Sequence, residues 1–202
     1  MPKVVDHDER RAELVLALWQ VIHDQGIDGV TFRAVAQAAG VSVGRVQHYF
    51  PSKDDLVLHG CRQMVASAVV DHGPREEPGD PRAAAEELRS LLVGAMSESV
   101  EFKIGASVWA AYQSKAVSSP GIGAIVTDAL AERARVLARL LADARGRGGP
   151  ARPAPTPDDR RDALRLAALS EGLTLRVIVG AVRADEARRV IHAEVDRCLG
   201  AR

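Results

Sequence analysis

Residues 31–53, TFRAVAQAAGVSVGRVQHYFPSK, decide the architecture of this chain. Two short helical patterns meet there at Gly40, where a turn between helices needs a left-handed backbone that glycine adopts at little cost. Ala36 is small enough for two helices to cross closely, and Val46, ten positions later, is spaced to pack back onto the first helix. The spacing therefore predicts two helices around a small shared core, which also includes Val35, Ala39, Val41 and Tyr49.

This pattern is typical of a helix-turn-helix, whose second helix is shaped to enter a DNA major groove. The charge of the stretch agrees, because it contains Arg33, Arg45 and Lys53 and no acidic residue, and His48 can add to its positive side. The whole chain has 27 basic and 27 acidic residues, so its net charge of zero indicates no partner. A local surplus of positive charge is what a phosphate backbone attracts.

A helical wheel of residues 42–49 gives the second helix an inner and an outer face. Gly44 lets a DNA backbone approach, Arg45 can pair with a guanine edge or a phosphate, and the Ser42 hydroxyl suits a phosphate. The alternative is a compact helical hairpin without a DNA partner, but the spacing and the acid-free outer face favour DNA binding. The outer face consists of Gly44, Arg45 and His48, with Val43, Gln47 and Tyr49 at its margins.

Residues 10–60 resemble the N-terminal domain of the TetR family of transcriptional regulators. The resemblance covers about a quarter of the chain. The remaining residues are compatible with the family and far less diagnostic. The matching signature is Thr31-Phe32-Arg33-x-Val35-Ala36-x-x-Ala39-Gly40-Val41-Ser42-x-Gly44, followed by Tyr49-Phe50-x-Ser52-Lys53-x-x-Leu56.

The resemblance implies which residues reach DNA. Lys53 matches a lysine that contacts phosphate, and Arg33 matches a contact from the preceding helix. Many family members have tyrosine where Gln47 stands, so the operator sequence cannot be transferred from them. The string from Val46 to Phe50 resembles the choline/betaine-regulator branch, although five residues leave the effector open. The implied contacts on the second helix are Val43, Gly44, Arg45, Gln47, His48 and Tyr49.

The whole chain is predicted to be all-α, with about nine helices and no convincing strand alternation. Its 202 residues divide into a DNA-binding domain at 1–53 and an effector-binding and dimerisation domain at 54–202, of which the second is implied by the resemblance. Stretches rich in proline and glycine predict loops at 73–81 and 146–157. A break in the helical pattern is expected near 102–105.

A cytoplasmic location is expected, because no run of eighteen apolar residues occurs and the acidic N-terminal region does not read as a signal peptide. Cys61 and Cys198 are expected to be reduced and buried, a disulfide or metal role being the lesser alternative.

An effector site is suggested by the aromatic residues of the C-terminal part. Phe102, Trp109 and Tyr112 are separated by seven and three residues, so they share a helix face if the break precedes them. They can form part of the core or the wall of a pocket, and the core has slightly more weight because apolar stripes usually face one. In the second case the pocket also includes Met64 and Met96 as adaptable neighbours and His59 and Gln113 as polar anchors.

A dimer interface is predicted on the penultimate helix, which has two apolar stripes. A helix that is apolar on two sides needs two partners, one in its own core and one outside it. Together with the last helix, this predicts a two-fold four-helix interface, partly on the family's architecture. A fully buried core helix is the alternative. The interface candidates are Leu164, Ala168, Glu171, Gly172, Leu175, Arg176, Val179, Ile191 and Val195, in which Glu171 and Arg176 pair across the interface or form a solvated rim.

No enzymatic site is predicted. The six histidines, at 7, 23, 48, 59, 72 and 192, form no pair with the spacing of a helix-bundle metal site, and no phosphate-binding loop or nucleophile motif occurs. Neither a cofactor nor a metal is expected. The sequence thus predicts a homodimeric, effector-responsive repressor of a palindromic operator. The alternatives are a helical sensor or protein-interaction module that has lost operator binding and, more distantly, a helix-bundle enzyme.

Overall fold

The computed structural model describes residues 7–70, 80–94, 96–147 and 153–200, which contain α-helices and no strand. The predicted all-α fold is confirmed. Residues 71–79 and 148–152, which include most of the predicted loop at 73–81 and part of the one at 146–157, lie outside the described residues. The nine described helices are α1 (His7–Gln25), α2 (Phe32–Ala38), α3 (Val43–Tyr49), α4 (Lys53–Val70), α5 (Pro81–Val93), α6 (Val100–Ala116), α7 (Pro120–Ala142), α8 (Pro157–Ile178) and α9 (Ala184–Leu199).

Side-chain caps and a glycine turn set the ends of the short helices α2 and α3. Thr31 Oγ1 accepts a hydrogen bond from the backbone N–H of Ala34, and Ser42 Oγ accepts one from that of Arg45. Gly40 has a φ of 65°, as the sequence predicts, and follows the last turn of α2. The N–H groups of residues 40 and 41 then donate to the carbonyls of residues 37 and 36, the Schellman pattern that ends a helix.

Packing divides the described residues into two compact units. Unit 1 comprises α1 to α4, Ile104–Thr127 and their connections, and unit 2 comprises α5, the first residues of α6, and the chain from Asp128 to α9. Because α4 and most of α6 pack with the helix-turn-helix, the structural division does not fall at residue 53. The predicted boundary at 53/54 concerns function, and it stays a prediction.

Unit 1 has a core made by α1, α2 and α4 around the single buried residue of α3. In this unit α1 packs against α2 and α4, and α2 packs against α3. Val46 is the only residue of α3 that is buried. The other fully buried residues of this unit include Leu18, Val30, Val35 and Leu56.

Unit 2 buries a longer apolar core between α5, α7, α8 and α9. The fully or almost fully buried members include Leu88, Leu92, Leu137, Leu141, Leu166 and Ile191. Both cysteines are free, and Cys61 is buried whereas Cys198 is only half-buried, so the prediction that both are buried holds for Cys61 alone.

A buried carboxylate joins the end of α7 to the start of α8. Asp159 accepts from the backbone N–H of Thr156 at 2.8 Å, and its own N–H donates to Thr156 Oγ1 at 3.2 Å. Arg145 Nη1 donates to Asp159 Oδ1 at 2.6 Å, and Arg147 pairs with the same oxygen. Burial alone would raise the pKa of Asp159, but the bonds from Thr156 and both arginines outweigh it and hold the pKa well below its ordinary value.

The predicted break in the helical pattern lies earlier than expected. Helix α5 ends at Val93, Gly94 has a φ of 50°, and α6 starts at Val100. Ser99 Oγ accepts from the N–H of Phe102, which starts α6 ahead of the aromatic residues. The prediction of a break at 102–105 is therefore wrong, because the glycine at 94 and the serine at 99 end one helix and begin the next.

Candidate nucleic-acid interface

The outer face of α3 is open to solvent, as the helical wheel predicts. Arg45, Gln47 and His48 are exposed, and Tyr49 is half-buried. Val43 is 38% exposed, which leaves an apolar surface suited to a thymine methyl group. None of these side chains is needed for the core, so the face is free to contact a partner.

Gly44 lies on this face without a packing reason for its lack of a side chain. A Cβ built at this position meets nothing within 4 Å. Because glycine inside a helix costs stability relative to alanine, its presence calls for an explanation outside the folded chain. Close approach of a DNA backbone provides one.

Two further candidates lie beside α3. Arg33 is exposed and lines an open cleft of about 310 Å³ between α1 and α2, together with Thr31. Lys53 is exposed at the start of α4, and its ammonium donates to the carbonyl of Asp28 at 3.4 Å. The carboxylate of Asp28 in turn pairs with Lys115 of α6 at 3.4 Å. The ninth candidate, Ser42, is exposed, and its hydroxyl caps α3.

A residue that the sequence analysis did not single out joins the candidate site. The imidazole of His7, in the first turn of α1, lies 4.6 Å from the ring of Tyr49 and 6.0 Å from that of His48, measured between ring centroids. The sequence separation of these residues left no local signal of their contact.

The seven effector candidates are divided between the two units. Met96 and Phe102 pack in the core of unit 2. The other five, His59, Met64, Trp109, Tyr112 and Gln113, belong to unit 1. The expectation that all seven line one pocket is therefore not met within either unit.

Within unit 1, His59 and Tyr112 have different surroundings. The His59 ring lies 5.4 Å from that of Phe50. Burial lowers the pKa of His59, and the guanidinium groups of Arg11 and Arg62 lower it further.

Tyr112 is fully buried against Gly60 of α4. A Cβ at Gly60 would lie 2.7 Å from the Tyr112 hydroxyl and 2.5 Å from Leu18 Cδ2, so any other residue there would require one of these buried side chains to move. Trp19 Nε1 donates to the Gly60 carbonyl at 3.3 Å. Burial raises the pKa of Tyr112, the neighbouring Cys61 thiol adds to this effect, and the indole of Trp19 opposes it. Tyr112 thus joins α6 to α4 and α1.

The dimer candidates on α8 separate as the two-stripe pattern predicts. Leu164, Leu175 and Val179 are 65%, 51% and 67% exposed, and Ala168 and Arg176 are exposed as well. The buried residues of the same helix include Ala163, Leu166, Ala167 and Val177.

The other four dimer candidates do not lie on the exposed face of α8. Ile191 and Val195 are fully buried in the core of unit 2, so their assignment to a surface interface is wrong. They occupy the inner side of α9, which packs against α5 and α8. Gly172 is half-buried. Glu171 is half-buried, and its Oε1 lies 3.9 Å from Nη1 of Arg133 in the same unit. Arg133 is thus an alternative partner to Arg176, with which the sequence predicts a pairing.

Comparisons with known proteins agree with this geometry. The sequence model of the bacterial regulatory proteins of the tetR family matches residues 14–59. The model of the C-terminal region of BetI-type transcriptional repressors matches residues 85–200, which is more than half of the chain. The chain belongs to the TetR family of transcriptional regulators.

Individual proteins are similar over nearly the whole length. The HTH-type transcriptional regulator BetI of Stenotrophomonas maltophilia is 29% identical over 202 residues, which cover 97% of this chain and 96% of that protein. A transcriptional regulator from Rhodococcus sp. Rha1 superposes with a TM-score of 0.78 at 26% identity, over 94% of this chain and 96% of the other. A regulator from Saccharomonospora viridis, solved in complex with choline, superposes with a TM-score of 0.77 at 23% identity, over 94% and 96% of the two chains.

The family membership makes the protein a DNA-binding transcription regulator of the BetI type rather than an enzyme. The candidate interface on α3 lies within the part that matches the tetR-family model. Among the described residues, no helix is long and apolar enough to cross a membrane.

We expect Arg45→Ala to weaken operator binding by about five- to 150-fold, because a bidentate contact to guanine contributes about 1–3 kcal/mol. Binding to a duplex of shuffled sequence should change much less. Fluorescence anisotropy with a duplex selected by the wild-type protein from a random pool measures both affinities. Arg160→Ala removes an equally exposed arginine from α8 and serves as the control. Unchanged affinity of Arg45→Ala for the selected duplex would contradict a role in reading.

Lys53→Ala should weaken binding to every sequence by a similar factor. A lysine that contacts a phosphate releases about one counterion, so its loss should reduce the slope of log affinity against log salt by about one. The measurement is the affinity for the selected and shuffled duplexes over a series of salt concentrations. If affinity fell only for the selected duplex and the salt slope stayed unchanged, Lys53 would act in base recognition or in stabilising the fold through its hydrogen bond with Asp28.

Proposed function

We propose that the protein is a homodimeric repressor that binds a palindromic operator and leaves it when a small-molecule effector binds. The main support for operator binding is the outer face of α3. It combines an exposed arginine, glutamine and histidine with a glycine that the packing does not require. We infer a cytoplasmic location, since the operator of a bacterial regulator lies there.

Recognition would combine base contacts with phosphate contacts. Arg45, Gln47 and His48 project from the helix that would enter the major groove, whereas Arg33 and Lys53 flank it and would contact phosphates. The open surface at Gly44 supports a close approach of the DNA backbone. Base contacts would set the sequence preference, and phosphate contacts would set register and the dependence on salt.

Dimerisation through α8 would supply the symmetry that a palindromic operator needs. Exposed leucine and valine side chains on one helix face are costly in a monomer, and a second copy of the same face would cover them. The small residue Ala168 between them supports a close approach of two helices. Two subunits joined in this way would present two reading helices to two half-sites.

Effector binding is assigned to the region of α6 that carries Trp109 and Tyr112. The buried Tyr112 hydroxyl has the indole of Trp19 beside it, and no described residue gives it a hydrogen bond of ordinary geometry. Such a group costs about 1–3 kcal/mol, which a ligand could recover. Because Tyr112 packs on Gly60, a ligand that moves α6 would also move α4. The coupling equals the ligand's preference for one of two states, about 1–3 kcal/mol in typical systems.

Choline is the first effector to test. The match to the C-terminal region of BetI-type repressors and the choline complex of the Saccharomonospora viridis regulator support this choice. A quaternary ammonium is recognised through the faces of aromatic rings, and the part of α6 in unit 1 carries two of them, Trp109 and Tyr112.

A gel shift at two salt concentrations tests operator binding itself. A sensor or interaction module of the same fold that has lost operator binding would show no preference for any duplex over a shuffled one. The proposed repressor should select a palindromic sequence from a random pool.

We expect Leu175→Asp to dissociate the dimer while leaving the subunit folded, since this side chain is half exposed in the subunit. A carboxylate buried against an apolar partner should raise the dimer dissociation constant at least about thirtyfold, which corresponds to about 2 kcal/mol. Sedimentation velocity over a concentration series measures this constant. Val117→Asp replaces an apolar residue that is 92% exposed in unit 1 and should leave the dimer unchanged. A dimer of normal stability in Leu175→Asp would rule out this face of α8.

Trp109→Ala should weaken choline binding by about tenfold, the value of a partly desolvated cation–π contact, and should leave effector-free operator affinity within about twofold. Calorimetry with choline measures the first quantity, and fluorescence anisotropy with the selected duplex in the absence of choline measures the second. Tyr112→Phe keeps the buried ring and removes the hydroxyl that lies against Gly60, so it should alter the response to choline without lowering the melting temperature. Equal losses of choline and operator binding in Trp109→Ala would indicate a folding defect instead.

A further inference from the structure

Three rings meet at the C-terminal end of the reading helix, and one of them comes from α1. The His7 and Tyr49 ring centroids are 4.6 Å apart, those of His7 and His48 are 6.0 Å apart, and those of His48 and Tyr49 are 5.2 Å apart. All three distances lie within the range of about 4.5–7 Å at which aromatic pairs attract each other. His7 therefore bridges two neighbouring side chains of α3.

This contact lies outside the core of unit 1. His7 and His48 are exposed and Tyr49 is half-buried, whereas Val46 and Phe50, which flank these two residues of α3, are buried. The rings thus add little to the burial of apolar surface. They lie at the edge of the face that carries the DNA-reading residues.

The end of α3 has few other means of holding these two side chains. The helix has seven residues and stops at Tyr49, and Phe50 continues in extended conformation with a φ of −134°. Exposed side chains in the last turn of a short helix can rotate among several rotamers, and ordering them on binding costs affinity. A ring packed on both of them removes part of this cost before DNA binds.

We propose that His7 is a positioning residue for DNA reading, whose imidazole holds the rings of Tyr49 and His48 in the orientation in which they meet the operator. This proposal rests on the proposed function, in which α3 reads DNA. It adds a residue of α1 to the reading apparatus and makes sequence preference depend on the first turn of that helix.

The charges around His7 favour positioning over a direct phosphate contact. Asp8 and Glu9 follow it immediately and are exposed in the same turn. The next basic residue, Arg10, pairs with Glu13 at 2.7 Å. Two carboxylates and two arginines, Arg10 and Arg11, follow His7 within four positions, so this turn carries no surplus of positive charge that would favour a phosphate contact.

Two variants separate the role of the ring from that of its charge. His7→Ala removes the ring, and His7→Phe keeps a ring of similar size without nitrogen atoms. Both are compared with the wild type on the selected duplex and the shuffled duplex over a series of salt concentrations, with melting temperatures recorded. Arg45→Ala, measured in parallel, reports whether α3 reads the duplex at all.

Loss of the ring contacts should weaken binding of His7→Ala to the selected duplex by about two- to tenfold, with little change on the shuffled duplex. The salt slope should stay that of the wild type, and His7→Phe should bind within about twofold of the wild type. Equal losses for both variants, or a salt slope reduced by about one, would overturn the proposal in favour of a charge contact. Wild-type affinity of His7→Ala would overturn it as well.

A measurement without DNA keeps the test independent of operator binding. In the NMR spectrum of the dimer, the His7 imidazole should show cross-relaxation with the Tyr49 ring, and His7→Ala should shift the ring resonances of Tyr49. An absent contact overturns the positioning role. If the contact is present and Arg45→Ala binds the selected duplex like the wild type, the proposed function of α3 fails instead.

Discussion

The burial of one side chain, Val46, is the constraint on which the DNA-reading apparatus depends. It is the only buried residue among the seven of α3, and it is fully enclosed in the core of unit 1. A helix of two turns is not stable by itself in water, so this anchor and the caps at its ends must hold it. The Schellman turn at Gly40 and the cap by Ser42 provide that support. The remaining surface of α3 is thereby free of folding requirements and available for recognition.

Helix α8 in unit 2 likewise uses one side for core packing and leaves another side exposed. One side of the helix packs in the core, where the Ser170 hydroxyl also donates to the carbonyl of Leu92. The opposite side keeps leucine and valine side chains at the surface, where the proposed interface lies. The capping box of Thr156 and Asp159, reinforced by two arginines, ties the start of this helix to the end of α7. This helix, apolar on two sides, is thus fixed at its start by buried charge.

The helix α6 shows why a sequence pattern alone is a weak guide to a ligand site. Its aromatic residues share a helix face by spacing, yet Phe102 packs in the core of unit 2, whereas Tyr112 packs on Gly60 in unit 1. A Cβ at residue 60 would overlap both the tyrosine hydroxyl and Leu18, so this close contact depends on the glycine. This fit joins α6 to the helices that carry the reading helix, and it supplies a physical route by which a ligand on α6 could affect DNA binding.

The sequence by itself determined the features that depend on neighbouring residues. The caps by Thr31, Ser42 and Thr156 and the left-handed turn at Gly40 each involve hydrogen bonds within a few positions, so residue type and spacing predict them. The two stripes of α8 follow equally from the helical period.

Only the tertiary structure decided which apolar residues of α9 face inward, and Ile191 and Val195 proved to be core residues. The contact between His7 and Tyr49 was likewise decided by the tertiary structure. In the sequence, only Gly94 and serines such as Ser99 mark the break before α6, and these residues by themselves did not show where one helix ends and the next begins. These outcomes depend on packing between segments far apart in the chain, and the periodicity of one helix carries no information about the partner that covers it.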